Sequence, residues 1–230
     1  MQSAPTGGAM IAINTTEHDI TPHLTNNVTI AAINSPHSLV IAGDHDETHH
    51  IADILAAQGH KTKTLTVSHA FHSPHMDDIL NQFHTVAHTI TYHQPTIPLI
   101  TSGPGDPTTP DYWTNHIRNT VRFHDATTQL HTNGVTTYIE IGPTAVLTPH
   151  LEPTATSLPT LQKTKSEHHT LNAIRITTPT PNQPTITLPT YPFQRQRYWL
   201  DAPQHVDPLD TTATHSSRRR WSFPMTAAWC

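Results

Sequence analysis

The stretch NVTIAAINSPHSLVIAGD, residues 27–44, places two apolar, β-branched runs at 28–33 and 38–42 around the turn-forming trio Asn34-Ser35-Pro36. Two such runs joined by a short polar turn predict a β-hairpin. Upstream, GAMIAIN (8–14) reads as a short apolar strand, and TTEHDITPHL (15–24) as a short helix capped by Thr15 or Thr16 before Pro22. Downstream, DHDETHHIADILAAQGH (44–60) has an acidic start, apolar residues at Ile51, Ile54 and Leu55, and Gly59 where a helix C-cap falls. KTKTLTVS (61–68) then reads as a strand. Strand, helix, strand, strand, helix, strand is the order of a ferredoxin-like βαββαβ unit, here assigned to residues 7–68.

The next block, 69–151, is read as a helix over 74–90, a strand at IPLITS (97–102), a helix within RNTVRFHDATTQLHTNG (118–134) and a strand at YIEIG (138–142). Alternating helices and apolar strands make this an α/β layer with a parallel sheet. Residues 152–187 turn to polar Thr/Pro/Gln sequence with little periodicity and read as linker, ending in the aromatic and basic LPTYPFQRQRYWL (188–200). The 230 residues suit one or two domains, and charged residues make up only 13%. A formal net charge of −5 gives no basic field for a phosphate backbone, so nucleic acid is not an expected partner. The single cysteine, Cys230, excludes an intrachain disulfide and a multi-cysteine zinc site. No apolar run reaches the roughly 18 residues of a membrane span and MQSAPTGGAM is no signal peptide, so a cytoplasmic location without a membrane partner is expected.

VSHAFHSPHMDDIL (67–80) holds His69, His72 and His75 at intervals of three. On one helical face such a trio would suit zinc, but Pro74 interrupts it and the HExxH pattern is absent. A chain with 21 histidines also produces close trios by composition, so no metal ligands are assigned.

Together, GAMIAI, VTIAAINSPHSLVIAGD, VSHAFHSPHMDDIL, PDYWTNHIRNTVRF, YIEIGP and LPTYPFQRQRYWL resemble, in order, the acyltransferase domains of modular type I polyketide synthases. The resemblance implies an α/β fold: a ferredoxin-like small subdomain at 7–68, the C-terminal part of an α/β-hydrolase-like large subdomain at 69–151, then an extended post-acyltransferase linker at 152–200. It implies a transferase that loads malonyl units from malonyl-CoA onto the phosphopantetheine thiol of an acyl carrier protein, with no bound cofactor. His72 is then the general base, because a serine hydroxyl is a weak nucleophile until a neighbouring imidazole takes its proton. The main-chain carbonyl that orients this ring is placed at His116. His69, Ala70 and Phe71 complete the HAFH tetrad that accompanies malonyl selection, Phe71 leaving no room for a branch methyl. Asn34 falls at the rim of the substrate entrance, Glu140-Ile141-Gly142-Pro143 is assigned to structure rather than chemistry, and Tyr191, Phe193, Tyr198 and Trp199 become anchors against a neighbouring ketosynthase.

The sequence departs from the family in two places. No G-x-S-x-G nucleophile motif occurs in the 230 residues, nor does the segment bearing the arginine that grips the malonyl carboxylate. The chain therefore reads as a fragment, inactive in isolation, with a non-catalytic docking module or the remnant of a broken synthase gene as the alternative. Residues 201–230 do not continue into the family's next domain and read as an atypical, disordered tail, for which a shifted reading frame is one origin.

Overall fold

The computed structural model describes residues 4–177, which belong to one compact unit, Met1–Pro179. Its first part is the expected ferredoxin-like unit: β1 (Gly8–Ile13), α1 (Glu17–Ile20), β2 (Val28–Ser35), β3 (Ser38–Asp44), α2 (His45–Ala57) and β4 (Thr62–Thr64). The four strands lie in the order β2-β3-β1-β4, every neighbouring pair antiparallel. Ser35 pairs with Ser38, so Pro36 and His37 alone make the hairpin turn. The local signals do what the sequence implies: Thr16 Oγ1 accepts from the Asp19 N–H at the start of α1, and Asp44 caps α2 by accepting from the N–H groups of Asp46 and Glu47. Gly59, at φ 96°, stops α2 in the left-handed region that costs a glycine least.

Period-two alternation sorts the sheet's two faces. Ile11, Ile13, Val28, Ile30, Ile33, Leu39 and Ile41 pack beneath Ile51, Ala52 and Leu55 of α2 and beside Ile20 of α1. Each fully buried Ile or Leu there contributes about 1.5–3 kcal/mol. The opposite face is made of small residues, Ala31, Ala42 and Val40 with Met10, and instead of a helix it receives Leu65, Ala70 and Phe71. This explains why β4 is shorter than the strand expected over 61–68. After Leu65, whose N–H still bonds to the Met10 carbonyl (2.9 Å), the chain leaves the exposed edge and crosses the alanine face.

A 3-10 turn (Pro74–Met76) leads into α3 (Asp77–Ala87), as expected for 74–90. Then come α4 (Pro110–Arg118) and α5 (Phe123–Thr132). Only α5 was expected. The start of α4 is marked by Thr109, whose Oγ1 accepts from the Tyr112 N–H, and by Pro110 in its first turn. Helices α3 and α4 run antiparallel. Met76, Ile79 and Ile117 are buried together with Ala4 against Phe71, Leu80 and Phe83, and Arg118 Nε meets Asp77 Oδ1 at 2.7 Å.

The expected strand at 97–102 does not form. It finds no ladder partner among the described residues, and Ile97 and Leu99 are 76% and 54% exposed. Its end is tied down where the Arg122 N–H bonds to the Ser102 carbonyl (2.6 Å). Strand β5 (Thr137–Glu140) forms as expected, but its parallel partner β6 (Thr156–Pro159) and helix α6 (Glu167–Thr177) lie in the stretch read as linker. That assignment is corrected as far as Thr177. A four-residue Thr-containing strand has no periodic signature, and it forms through non-local pairing with β5. The rest of the linker, with Tyr191, Phe193, Tyr198 and Trp199, and the tail 201–230 lie outside the described residues. Among the described residues no helix is long and apolar enough to cross a membrane.

Candidate active site

The HAFH tetrad lies between the alanine face of the four-stranded sheet and the α3–α4 pair. Ala70 is fully buried against the sheet, and Phe71 touches both apolar clusters. The tetrad approaches β1 closely enough that a Cβ on Gly8 would stand 2.5 Å from the Ala70 Cβ and 2.9 Å from His75 Nδ1. Glycine at the start of β1 is what lets the segment sit there.

His72 adopts φ 55°, and among the described residues it is the one non-glycine in the left-handed region. Such a conformation costs on the order of 1–3 kcal/mol and persists only where surrounding bonds fix it. Three do. Thr29 Oγ1, on β2, donates to the His72 carbonyl (3.0 Å), and Ser73 Oγ donates to the Ala70 carbonyl (2.6 Å) while accepting from the His75 N–H (3.2 Å).

The ring is fixed as tightly as the backbone. His72 Nδ1 lies 2.9 Å from the Asn119 carbonyl. A carbonyl only accepts, so Nδ1 carries the hydrogen and Nε2 is left as the basic nitrogen. Asn119 is the C-cap of α4, where helix carbonyls lack intrahelical partners. It is held in place because the next residues join the β2 edge: Thr120 Oγ1 donates to the Ile30 carbonyl (2.6 Å), Val121 N–H to Ala31 (2.9 Å), and Ile33 N–H to Val121 (2.8 Å). Arg122 extends this seam to Glu17 at 3.2 Å.

The expectation for His116 is therefore corrected in part. Its carbonyl also favours the protonated His72 ring, but the hydrogen bond itself comes from Asn119, three residues on. Both belong to the last turn of α4, where unpaired carbonyls gather. The His116 side chain lies edge-on to His72, with centroids 5.9 Å apart, and stacks on Tyr112 at 5.6 Å. Burial pushes the His72 imidazole below the ordinary histidine value; the Asn119 carbonyl opposes this and the His116 charge adds to it. Burial lowers His116 as well. Burial therefore favours the neutral form of the His72 imidazole.

Among the other expected residues, His69 holds Ser68 Oγ through Nδ1 (2.9 Å), while its Nε2 is buried without a hydrogen-bond partner beside Phe71. Asn34 is half-buried at the end of β2, one residue beyond the bond between Ile33 and Val121. The Glu140 carboxylate accepts from the N–H groups of Val146, Leu147 and Thr148 at 2.7, 3.0 and 2.8 Å and from Thr148 Oγ1 at 2.6 Å, a loop-ordering role. Asn119, Thr29 and Ser73 were not anticipated. Asn119 and Thr29 act on His72 from 47 and 43 residues away, and the one local clue, the free carbonyl end of α4, depends on recognising that helix.

Comparison with known proteins places the chain in a family. The family model described as "Acyl transferase domain" matches residues 1–182. The chain is 43% identical over 157 residues to polyketide synthase GfsA of Streptomyces halstedii, covering 64% of this chain and 2% of that protein. It is 42% identical over 159 residues to the phenolphthiocerol synthesis polyketide synthase type I Pks15/1 of Mycobacterium marinum, covering 66% and 8%. Among solved structures, the acyltransferase domain from the second module of the salinomycin polyketide synthase superposes with a TM-score of 0.71 at 36% identity, over 75% of this chain and 44% of that one. FabD from Acinetobacter baumannii, at 24% identity and a TM-score of 0.68, shares the fold. The chain thus spans a small part of its curated relatives and less than half of the salinomycin domain. With a half-buried, carbonyl-oriented histidine on a ferredoxin-like sheet and a family match over most of its length, the chain belongs to the acyltransferase domains of polyketide synthases.

Proposed function

We propose that this chain supplies the general base and the small subdomain of an acyltransferase that moves malonyl from malonyl-CoA to the phosphopantetheine thiol of an acyl carrier protein. The observation that carries the proposal is the Nδ1 bond of His72 to the Asn119 carbonyl at 2.9 Å, which leaves Nε2 as base. The nucleophilic serine comes from a G-x-S-x-G segment outside these 230 residues, on the same or a separate polypeptide. His72 Nε2 takes the serine proton, serine Oγ attacks the malonyl thioester carbon, and the CoA thiolate leaves with that proton. In the second half His72 takes the pantetheine thiol proton, the thiolate attacks the acyl-serine, and the proton returns to serine Oγ. Phe71, wedged between sheet and α3, supports a preference for the unbranched malonyl unit, worth about 1–3 kcal/mol over a methyl-branched one.

The test is transfer of labelled malonyl to an added carrier protein, with the chain alone and with a serine-bearing acyltransferase segment supplied. Transfer is expected only with the segment, and His72→Ala should lower it by about 10²–10⁴-fold. Transfer unaffected by His72→Ala would refute the assignment. A second reading, a docking module without chemistry, is favoured by the exposed Ile97 and Ile141, 76% and 87% accessible, which suit a covering partner. Binding of the segment without any transfer would select it.

A further inference from the structure

His84 lies in the last turn of α3, His88 caps that helix one turn on, and Asp111 stands in the first turn of α4. His84 Nε2 is 2.9 Å from Asp111 Oδ1 and 3.1 Å from His88 Nε2, and the three donor atoms all lie within 4.8 Å of one another. Among the described residues no other group of three His, Cys, Asp or Glu side chains converges in this way, the His69, His72, His75 triplet included.

Hydrogen bonding accounts poorly for the arrangement. A neutral Nε2 has one hydrogen or one lone pair, in one direction. If His84 Nε2 donates to Asp111, His88 Nε2 faces that same hydrogen; if it accepts from His88, the carboxylate faces a lone pair. A cation resolves the conflict, because all three atoms then offer lone pairs to one point. Ligands bound to zinc at about 2.0–2.1 Å in tetrahedral geometry stand about 3.3 Å apart, close to the two short edges here.

The donors are also held in advance. An i, i+4 pair sets both imidazoles on one face of α3. The antiparallel packing of α3 on α4 through Ile79 and Ile117, with Arg118 and Asp77 tied at 2.7 Å at the far end, brings Asp111 to that face. The Thr109 cap, and Trp113 Nε1 donating to the Pro107 carbonyl at 2.9 Å, fix the start of α4.

We propose that His84, His88 and Asp111 form a site for a late first-row divalent cation, zinc by its match to imidazole and carboxylate, with an open position for water. The cation would clasp α3 to α4 at the end opposite Asn119. It takes no part in acyl transfer.

The full chain, stripped of metal, is titrated with zinc against a chromophoric chelator. Wild type should bind one more tight equivalent than His84→Asn/His88→Asn, whose fold is checked by circular dichroism. Asp111→Ala should weaken that equivalent by at least the about 10–100-fold that loss of an outer-shell partner costs. The control His45→Asn/His49→Asn removes another i, i+4 histidine pair in ring contact, with centroids 4.6 Å apart on α2, and should leave the count unchanged. Cobalt(II) should show a tetrahedral visible spectrum that Asp111→Ala abolishes, a readout that holds even if the double variant does not fold. Equal tight binding by wild type and Asp111→Ala, or a tight equivalent lost with the α2 pair instead, overturns the proposal.

Discussion

Ser73→Ala isolates the device that holds His72. Ser73 is fully buried, and its Oγ donates to the Ala70 carbonyl at 2.6 Å and accepts from the His75 N–H at 3.2 Å, capping the 3-10 turn. Loss of a cap costs about 0.5–2 kcal/mol, with the long bond and short turn placing this one near the bottom. A buried carbonyl left unpaired costs about 1–3 kcal/mol more. Part of that returns, because the turn no longer enforces φ 55° at His72 and the strain there relaxes. The net loss should be about 2 kcal/mol. In urea, with a slope of about 2 kcal/mol/M, the midpoint falls by about 1 M. The control is Thr89→Ala, whose exposed hydroxyl bonds the Val86 carbonyl at 2.8 Å and which should cost under about 0.5 kcal/mol. Imidazole nitrogen shifts offer a second readout: in Ser73→Ala the His72 ring should lose its single tautomer. If both variants have the same midpoint, Ser73 does not bracket the tetrad, and the account of how His72 is held is wrong.

Gly8→Ala should destabilise by about 1–3 kcal/mol through overpacking, since its Cβ would meet Ala70 and the Gly43 carbonyl at 2.5 and 2.9 Å, whereas Gly142→Ala, with its nearest atom at 3.7 Å, should be near neutral by the same denaturation. Burial raises the Glu140 carboxyl, but its hydrogen bonds with Thr148, Leu147 and Val146 outweigh this and hold it below its ordinary value of 4.5. Its stabilisation is thus complete above the unfolded value and lost as pH falls through the lower folded one; Glu140→Gln should remove about 1–2 kcal/mol at pH 7 and flatten the acid limb of a stability–pH curve. His72 should titrate below 6.5 by NMR. Its folded form binds fewer protons between the folded and unfolded values, so stability rises as pH rises through that window and is lost as pH falls through it, and His72→Gln should lessen the slope; a value above 6.5 would contradict the burial assigned to the ring.

The βαββαβ unit was legible because each element carries a local cause: β-branched runs at 28–33 and 38–42, caps at Thr16 and Asp44, a stop at Gly59. His72 was legible only through the HAFH motif, since nothing in its neighbours announces a left-handed backbone. What the sequence hides is non-local. The partners of His72 sit on β2 and at the end of α4, and they meet only because Val121 bridges Ala32 at the sheet edge. β6 and the unpaired 97–102 segment make the same point in opposite directions: a short strand exists when a neighbour completes its ladder, whatever its own propensity.

The two faces of the small sheet show why His72 stands where it does. A ferredoxin-like sheet covers one face with its own helices, and here that face has the large aliphatic residues, which supply most of the hydrophobic stabilisation. The other face is lined by alanines, which leave depth for a chain segment to cross it closely. Only such a crossing can bury Ala70, keep His72 half-exposed at the rim, and still set its carbonyl against Thr29. Enlarging the alanines would strengthen the sheet's own packing but lift the tetrad off it, carrying Nδ1 away from Asn119. Small residues at 31 and 42 are thus part of the orientation of the imidazole, although neither touches its ring nitrogens.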